Sequence, residues 1–74
     1  MLVIINRKKL RRLREAKSLT QEQLAEYSGI SDRHLRALES RGVNPSASVL
    51  YRLSQVLGTP MDEFIEIIDE DESV

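Results

Sequence analysis

The amino-acid sequence predicts a mostly helical protein: one domain of five short helices with a two-stranded antiparallel sheet formed by its N- and C-terminal segments. Three observations support this prediction. The chain has 74 residues and no cysteine, so it has room for one modest core and cannot rely on disulfides. Helix start and stop signals divide its middle into short segments. Both end segments are apolar and rich in β-branched residues, which favour strands.

The N-terminal part predicts a strand followed by a helix. Residues 2–5, Leu-Val-Ile-Ile, are mostly β-branched, and this composition favours a strand. Residues 7–17 consist mainly of unbranched helix formers. Leu10 and Leu13 lie on one face of that helix, and arginine and lysine cover most of the remaining surface.

Two short helices separated by a tight turn follow. Thr20 begins a capping box that starts a helix over residues 21–28, and Gly29 ends it by supplying a left-handed backbone conformation. Ser31 is a good N-cap for a third helix over residues 32–40. Apolar residues at helical spacing give each of these helices one face for the core.

The C-terminal half predicts two further helices and a strand. Ser46 caps a fourth helix over residues 47–57, which has the strongest amphipathic pattern of the chain. Pro60 opens a short fifth helix. Residues 64–68 fit both a helical stripe and a strand. We favour the strand, because a strand over residues 2–5 needs a partner.

Charge divides the chain into two unequal halves. The formal net charge is −1. Residues 6–41 nevertheless carry ten basic and five acidic residues, a net +5, and residues 42–74 carry one basic and seven acidic residues, a net −6. We expect a single domain over residues 1–68 and an acidic, disordered tail over residues 69–74. The net charge therefore does not exclude a nucleic-acid partner for the basic half.

Several functions and locations are not expected. One histidine and no cysteine are too few for a zinc site or for a nucleophile–base pair, so we expect no metal, no cofactor and no catalytic residue. The sequence contains no run of about 18 apolar residues that would span a membrane. The apolar N-terminal segment is too short for a signal peptide and lacks a basic flank. We expect a cytoplasmic protein without a membrane partner.

Residues 21–40 combine two short helices with a glycine turn. This arrangement is typical of a helix-turn-helix motif, whose second helix enters the major groove of DNA. The spacing alone leaves an ordinary helical hairpin in a small bundle as the alternative.

A set of short sequence segments decides between these alternatives in favour of the helix-turn-helix motif. They are Leu13-Arg14, Leu19-Thr20-Gln21, Leu24-Ala25, Gly29-Ile30-Ser31, Leu35, Leu38-Glu39, Pro45-Ser46 and Leu57-Gly58. Together these matches, within residues 7–64, resemble the lambda-repressor/Cro-like (XRE-type) helix-turn-helix family. The apolar ends further resemble small dimeric repressors of this family, in which terminal strands pair beside five helices. The resemblance implies double-stranded DNA as the partner.

The resemblance also implies contact roles for six residues. The base-facing positions of the recognition helix correspond to Asp32, Arg33, Arg36 and Ala37. Gln21 and Ser40 match phosphate-contacting positions. Ser31, which is first an N-cap, and Arg41, which departs from the family pattern, are further candidates for phosphate contacts. Arg33 is the strongest candidate for reading a base, because a guanidinium can donate two hydrogen bonds to guanine O6 and N7.

Asp32 and Arg41 leave alternatives open. Asp32 can accept a hydrogen bond from cytosine N4, hold Arg33 in place or complement the helix dipole. Arg41 stands where the family usually has glycine, and Gly42 follows it. Either the helix ends one residue later, or Arg41 adopts a positive φ.

Two further predictions concern structure and assembly. The resemblance implies a partly buried salt bridge between Arg14 and Glu39, whose role is structural. The apolar residues at both ends exceed what a small monomer readily buries, so we expect a homodimer. Its predicted interface consists of Phe64, Ile65, Ile67 and Ile68.

The predicted function is sequence-specific DNA binding by a transcriptional regulator, a homodimeric repressor that reads a palindromic operator. The alternative is a protein-binding module with the same fold, either an antitoxin or an adaptor. The acidic C-terminal part gives this alternative some support, because it can dock on a basic protein partner, but the preferred interpretation of this segment is a solvated tail that aids solubility.

Overall fold

The computed structural model describes residues 2–41 and 44–69. The elements in chain order are β1 (Leu2–Ile5), α1 (Arg7–Ala16), α2 (Gln21–Ser28), α3 (Asp32–Ser40), α4 (Ala47–Leu57), a 3-10 turn (Met61–Glu63) and β2 (Ile65–Ile68). Among the described residues, no helix is both long and apolar enough to cross a bilayer. The predicted acidic tail lies outside the described residues from residue 70 onward.

Side-chain caps start the four α-helices. The capping oxygens belong to Asn6, Thr20, Ser31 and Ser46, and each accepts a hydrogen bond from the backbone N–H three residues later. At α2 the Gln23 side chain also accepts from the Thr20 N–H at 3.0 Å, which completes the predicted capping box. The helix starts predicted at residues 21, 32 and 47 are therefore confirmed.

Three of the helices end in a residue with left-handed backbone conformation. Gly29 ends α2 with a φ of 72° and Gly58 ends α4 with a φ of 67°. After α1, Lys17 is the C-cap, and Ser18 follows it with a φ of 58°; the N–H of Ser18 donates to the Glu15 carbonyl at 2.9 Å. Because this turn begins early, α1 ends one residue before the predicted bound.

The predicted fifth helix is wrong, because Pro60 precedes only one turn of 3-10 helix over Met61–Glu63. The described residues thus contain four α-helices instead of five. The N–H of Phe64 donates to the Met61 carbonyl at 3.1 Å and closes the turn. The chain then extends into β2, where the isoleucines follow their preference for a strand.

The two terminal strands form the predicted antiparallel sheet. Leu2 lies opposite Ile68, and Ile5 lies opposite Ile65. The N–H of Asn6 donates to the Phe64 carbonyl at 2.9 Å, immediately before α1 begins. The sheet is therefore joined directly to the first helix.

A single core lies between the helices and the sheet. Its buried apolar side chains are Ile5, Leu10, Leu24, Ala25, Leu35, Leu38, Leu50, Leu53, Leu57 and Phe64. α2 packs against α3 and α4, and α1 packs against α3. Phe64 is 0% exposed, so its assignment to a dimer interface is wrong: within the chain it already belongs to the core.

Candidate nucleic-acid interface

The turn between α2 and α3 sets the angle between these two helices. Gly29 has a positive φ, and the N–H of Ile30 donates to the Ala25 carbonyl at 3.0 Å. A Cβ at Gly29 would meet only Arg52 Nη1, at 3.6 Å, which is an ordinary contact. The glycine is therefore favoured by the backbone conformation rather than by lack of space.

α3 has one buried side and one exposed side. Leu35, Leu38 and Glu39 are buried. Arg33 and Arg36 are exposed, and their neighbours on the same side, Asp32 and Ala37, are half-buried. The four positions predicted to face bases thus share the side of α3 that points away from the core.

Asp32 holds Arg36 rather than Arg33. Its Oδ2 lies 2.9 Å from Arg36 Nη2, one helical turn away, whereas Oδ1 is buried and has no hydrogen-bond partner among the described residues. The possibility that Asp32 positions Arg33 is therefore wrong. Spacing i, i+4 on a helix favours the observed pair over adjacent residues.

Glu39 joins three helices through a single buried carboxylate. Its side chain is 1% exposed. Arg14 of α1 donates through Nε to Oε2 at 2.8 Å and through Nη2 to Oε1 at 3.2 Å, and Gln21 of α2 donates to Oε1 at 3.0 Å. The ion pair implied by the family resemblance is present, and its two-pronged geometry fixes α3 against α1.

The predicted phosphate-contacting side chains already make bonds within the chain. The Ser31 hydroxyl accepts from the His34 N–H at 3.0 Å, and the Ser40 hydroxyl donates to the Arg36 carbonyl at 2.7 Å. Gln21 uses one amide hydrogen for Glu39 and retains a second. Gln21 and Ser31 therefore keep a hydrogen to donate to a phosphate, whereas the one hydroxyl hydrogen of Ser40 is used within the helix.

Arg41 adopts an unstrained conformation, with a φ of −119°. Its N–H donates to the Ala37 carbonyl at 2.8 Å, so helical hydrogen bonding continues one residue past Ser40. The alternative of a positive φ at Arg41 is therefore excluded, and Arg41 is the C-cap of α3, which ends at Ser40. The Arg41 side chain is exposed.

Two arginines of α1 also lie against α3, and sequence reasoning did not single them out. Arg7 Nη1 donates to the Ser40 carbonyl at 2.5 Å. Arg11 Nε lies 4.0 Å from Glu39 Oε1. In the sequence these residues look like any others in a basic helix, because only the packing of α1 on α3 distinguishes them.

Comparison with known proteins identifies the family. The family model described as "Helix-turn-helix" matches residues 10–64. A relative from Sinorhizobium fredii, named "Uncharacterized HTH-type transcriptional regulator y4dJ", is 42% identical over 59 residues, which cover 80% of this chain and 77% of the relative.

Solved structures share the fold. The restriction-modification controller protein C.AhdI from Aeromonas hydrophila superposes with a TM-score of 0.72 at 33% identity, covering 77% of this chain and 86% of that one. SinR, the master regulator for biofilm formation, in complex with DNA, gives a TM-score of 0.72 at 26% identity, covering 76% of this chain and 90% of that one. The chain belongs to the XRE-type helix-turn-helix family of DNA-binding transcriptional regulators and is not an enzyme.

Proposed function

We propose that this protein is a sequence-specific repressor that binds a palindromic operator as a homodimer, with α3 in the major groove. The observation that carries the proposal is the exposed side of α3, where Arg33 and Arg36 face solvent while the buried Glu39 anchors the helix to α1 and α2. A helix with its side chains is about 10–12 Å across, and the major groove is about 12 Å wide. The groove can therefore receive α3 and bring these arginines to the base edges.

Arg33 is the base-reading residue in this proposal. Its guanidinium is exposed and pairs with no carboxylate of the described residues, so its planar fork can donate to guanine O6 and N7. Asp32 presents Arg36 in a defined position through their ion pair. Ala37 permits close approach, and its methyl group can contact a thymine methyl.

Phosphate contacts orient α3 without reading sequence. Gln21 stands at the N-terminus of α2, where backbone N–H groups and the helix dipole favour an anion. Ser31 precedes α3, and Ser40 and Arg41 lie at its other end. Contacts at both ends of α3 would fix the angle of the helix in the groove.

Dimerisation through the terminal sheet is the second part of the proposal. Ile67 is 61% exposed and Ile68 is 41% exposed, beside the half-buried Ile65. Apolar side chains next to the unpaired edges of a two-stranded sheet favour burial against another surface. A two-fold dimer would present two copies of α3 to half-sites about 34–36 Å apart.

Selection of binding sites from random DNA tests this function. The full chain should enrich an inverted repeat with half-sites about one helical turn apart, and affinity should fall steeply with salt because phosphate contacts release counterions. Placing the selected site over a promoter should lower transcription of a reporter gene. Enrichment of no sequence, or of a single half-site without its repeat, would overturn the proposal.

A further inference from the structure

We infer that Arg7 and Arg11 of α1 form a second phosphate-binding surface beside α3, here called the α1 flank. This inference rests on the proposed function, in which α3 enters the major groove. It assigns to two residues of the first helix a DNA contact that complements the base contacts of the recognition helix.

Both arginines lie beside the C-terminal half of α3. Arg7 donates to the Ser40 carbonyl, and Arg11 Nε lies 4.0 Å from a carboxylate oxygen of Glu39. The Arg11 side chain is nevertheless 56% exposed. The α1 flank is therefore attached to the recognition helix and remains open to an anion.

The α1 flank borders the base-facing side of α3. Glu39 and Ser40 follow Arg36 by three and four residues, and residues at these spacings are neighbours on a helix surface. Arg36 is exposed and directed away from the core. Arg7 and Arg11 therefore lie along the edge of the exposed side on which Arg36 stands.

Groove geometry brings this edge to the DNA backbone. A helix about 10–12 Å across fills a groove about 12 Å wide, so phosphates stand on either side of it. Gln21, already a candidate for a phosphate contact, is joined to the same Glu39 carboxylate as Arg11. The three donor side chains thus gather around one end of α3.

The α1 flank carries a net positive charge. Glu39 is compensated by its two-pronged bond with Arg14, so its negative charge does not cancel Arg7 and Arg11. Each guanidinium carries five N–H donors, and the bond of Arg7 to Ser40 uses only one of its nitrogens. Both arginines can therefore bind a phosphate while they hold their present positions.

The test compares two double variants of the full chain that remove equal charge from the same helix. Arg7→Gln/Arg11→Gln removes the α1 flank, whereas Lys9→Gln/Arg12→Gln removes two exposed cations from another face of α1. Affinity is measured against salt concentration, with the selected operator and with a scrambled duplex. Thermal unfolding of both variants checks that they fold.

Loss of the α1 flank should weaken binding to both duplexes by roughly tenfold or more. It should also reduce the slope of log affinity against log salt by about 0.9 for each lost contact. The preference for the operator over the scrambled duplex should stay unchanged, because phosphates carry no sequence information. The control variant should lose less affinity and keep a steeper slope.

Equal losses in the two double variants would overturn the inference, since they would show only the effect of total charge. If Arg7→Gln/Arg11→Gln fails to fold, Arg7→Lys/Arg11→Gln tests the Arg11 contact alone, and an unchanged slope would contradict it.

The preference for the operator over the scrambled duplex distinguishes failure of the α1 flank from failure of the proposed function. An intact preference with no special effect of Arg7 and Arg11 would reject the α1 flank alone, whereas no preference in the unmodified chain would reject the proposed function.

Discussion

Glu39 shows how one side chain can position a recognition surface. A buried carboxylate is costly unless it is paired and hydrogen-bonded, and Glu39 meets this condition through Arg14 and Gln21. These partners come from the two helices that precede α3. The buried pair therefore fixes which side of α3 faces solvent.

Removal of Arg14 should destabilise the fold strongly. We expect Arg14→Met to lower the free energy of unfolding by about 3 kcal/mol, because it leaves the Glu39 charge buried without its main partner. Urea denaturation measures the change. Arg12→Met, at an exposed position of the same helix, should cost no more than about 0.5 kcal/mol. Equal effects of the two substitutions would contradict the anchoring role of the pair.

Asp32 should influence specificity through Arg36. We expect Asp32→Ala to release Arg36 from its 2.9 Å ion pair and to reduce discrimination between the operator and a base-substituted site by about 1–2 kcal/mol. Competition binding measures this ratio. Glu63→Ala removes the same charge at an exposed position outside α3 and should leave the ratio intact. A ratio that Asp32→Ala does not alter would exclude this positioning role.

At the scale of secondary-structure elements, much of what the sequence predicts is where helices begin and end. Hydroxyl caps at Thr20, Ser31 and Ser46 start helices at the expected positions, because these caps act locally. The end of α1 is different, since Ser18 adopts a φ of 58° there. This non-glycine residue bears a backbone cost that Gly29 and Gly58 do not.

Glycine at the end of α1 should stabilise the protein. We expect Ser18→Gly to raise the free energy of unfolding by up to about 1 kcal/mol. Glycine relieves the strain of the left-handed backbone in the folded state, and this gain is larger than the stability lost through the greater entropy of the unfolded chain. Gly58→Ala should lower it by about 1 kcal/mol, since an added Cβ meets only the flexible Lys17 side chain, at 3.6 Å from its Nζ and 4.0 Å from its Cε, and the cost lies in the backbone. Urea midpoints of both variants provide the measurement. A lower midpoint for Ser18→Gly would contradict the strain.

Tertiary packing determined the features that the sequence did not predict. Pro60 and the acidic residues after it signal a helix start, yet the chain extends after one turn so that β2 can pair with β1. Phe64 occupies the core for the same reason, because it lies between that turn and the strand. The positions of Arg7 and Arg11 beside α3 likewise depend on the angle between two helices.

At the scale of the whole molecule, the chain has two surfaces of different character. The basic half carries α3 and its flanking donors, and the terminal sheet carries Ile67 and Ile68 as exposed apolar residues. In the proposed dimer the first surface binds DNA and the second buries apolar area between protomers. The net charge of −1 is the sum over both parts of the chain, so it does not reveal this division.

A charge in the terminal sheet should separate the protomers. We expect Ile67→Lys to raise the dimer dissociation constant by roughly tenfold or more while the monomer stays folded, because Ile67 is 61% exposed. Sedimentation at a series of concentrations measures the constant. Tyr51→Lys, at a site 57% exposed on α4, is the matched control. A monomeric unmodified protein, or equal behaviour of both variants, would rule out this interface.

The assignment of Arg33 to base reading is tested most directly by operator binding with a single altered guanine. The operator is compared with the same duplex in which 7-deazaguanine replaces the guanine contacted by α3, which removes the N7 acceptor. The unmodified protein should prefer the natural base by about 1–3 kcal/mol, and Arg33→Ala should show no preference while it keeps its salt dependence. If Arg33→Ala still prefers natural guanine at every position of the half-site, Arg33 is not the base-reading residue.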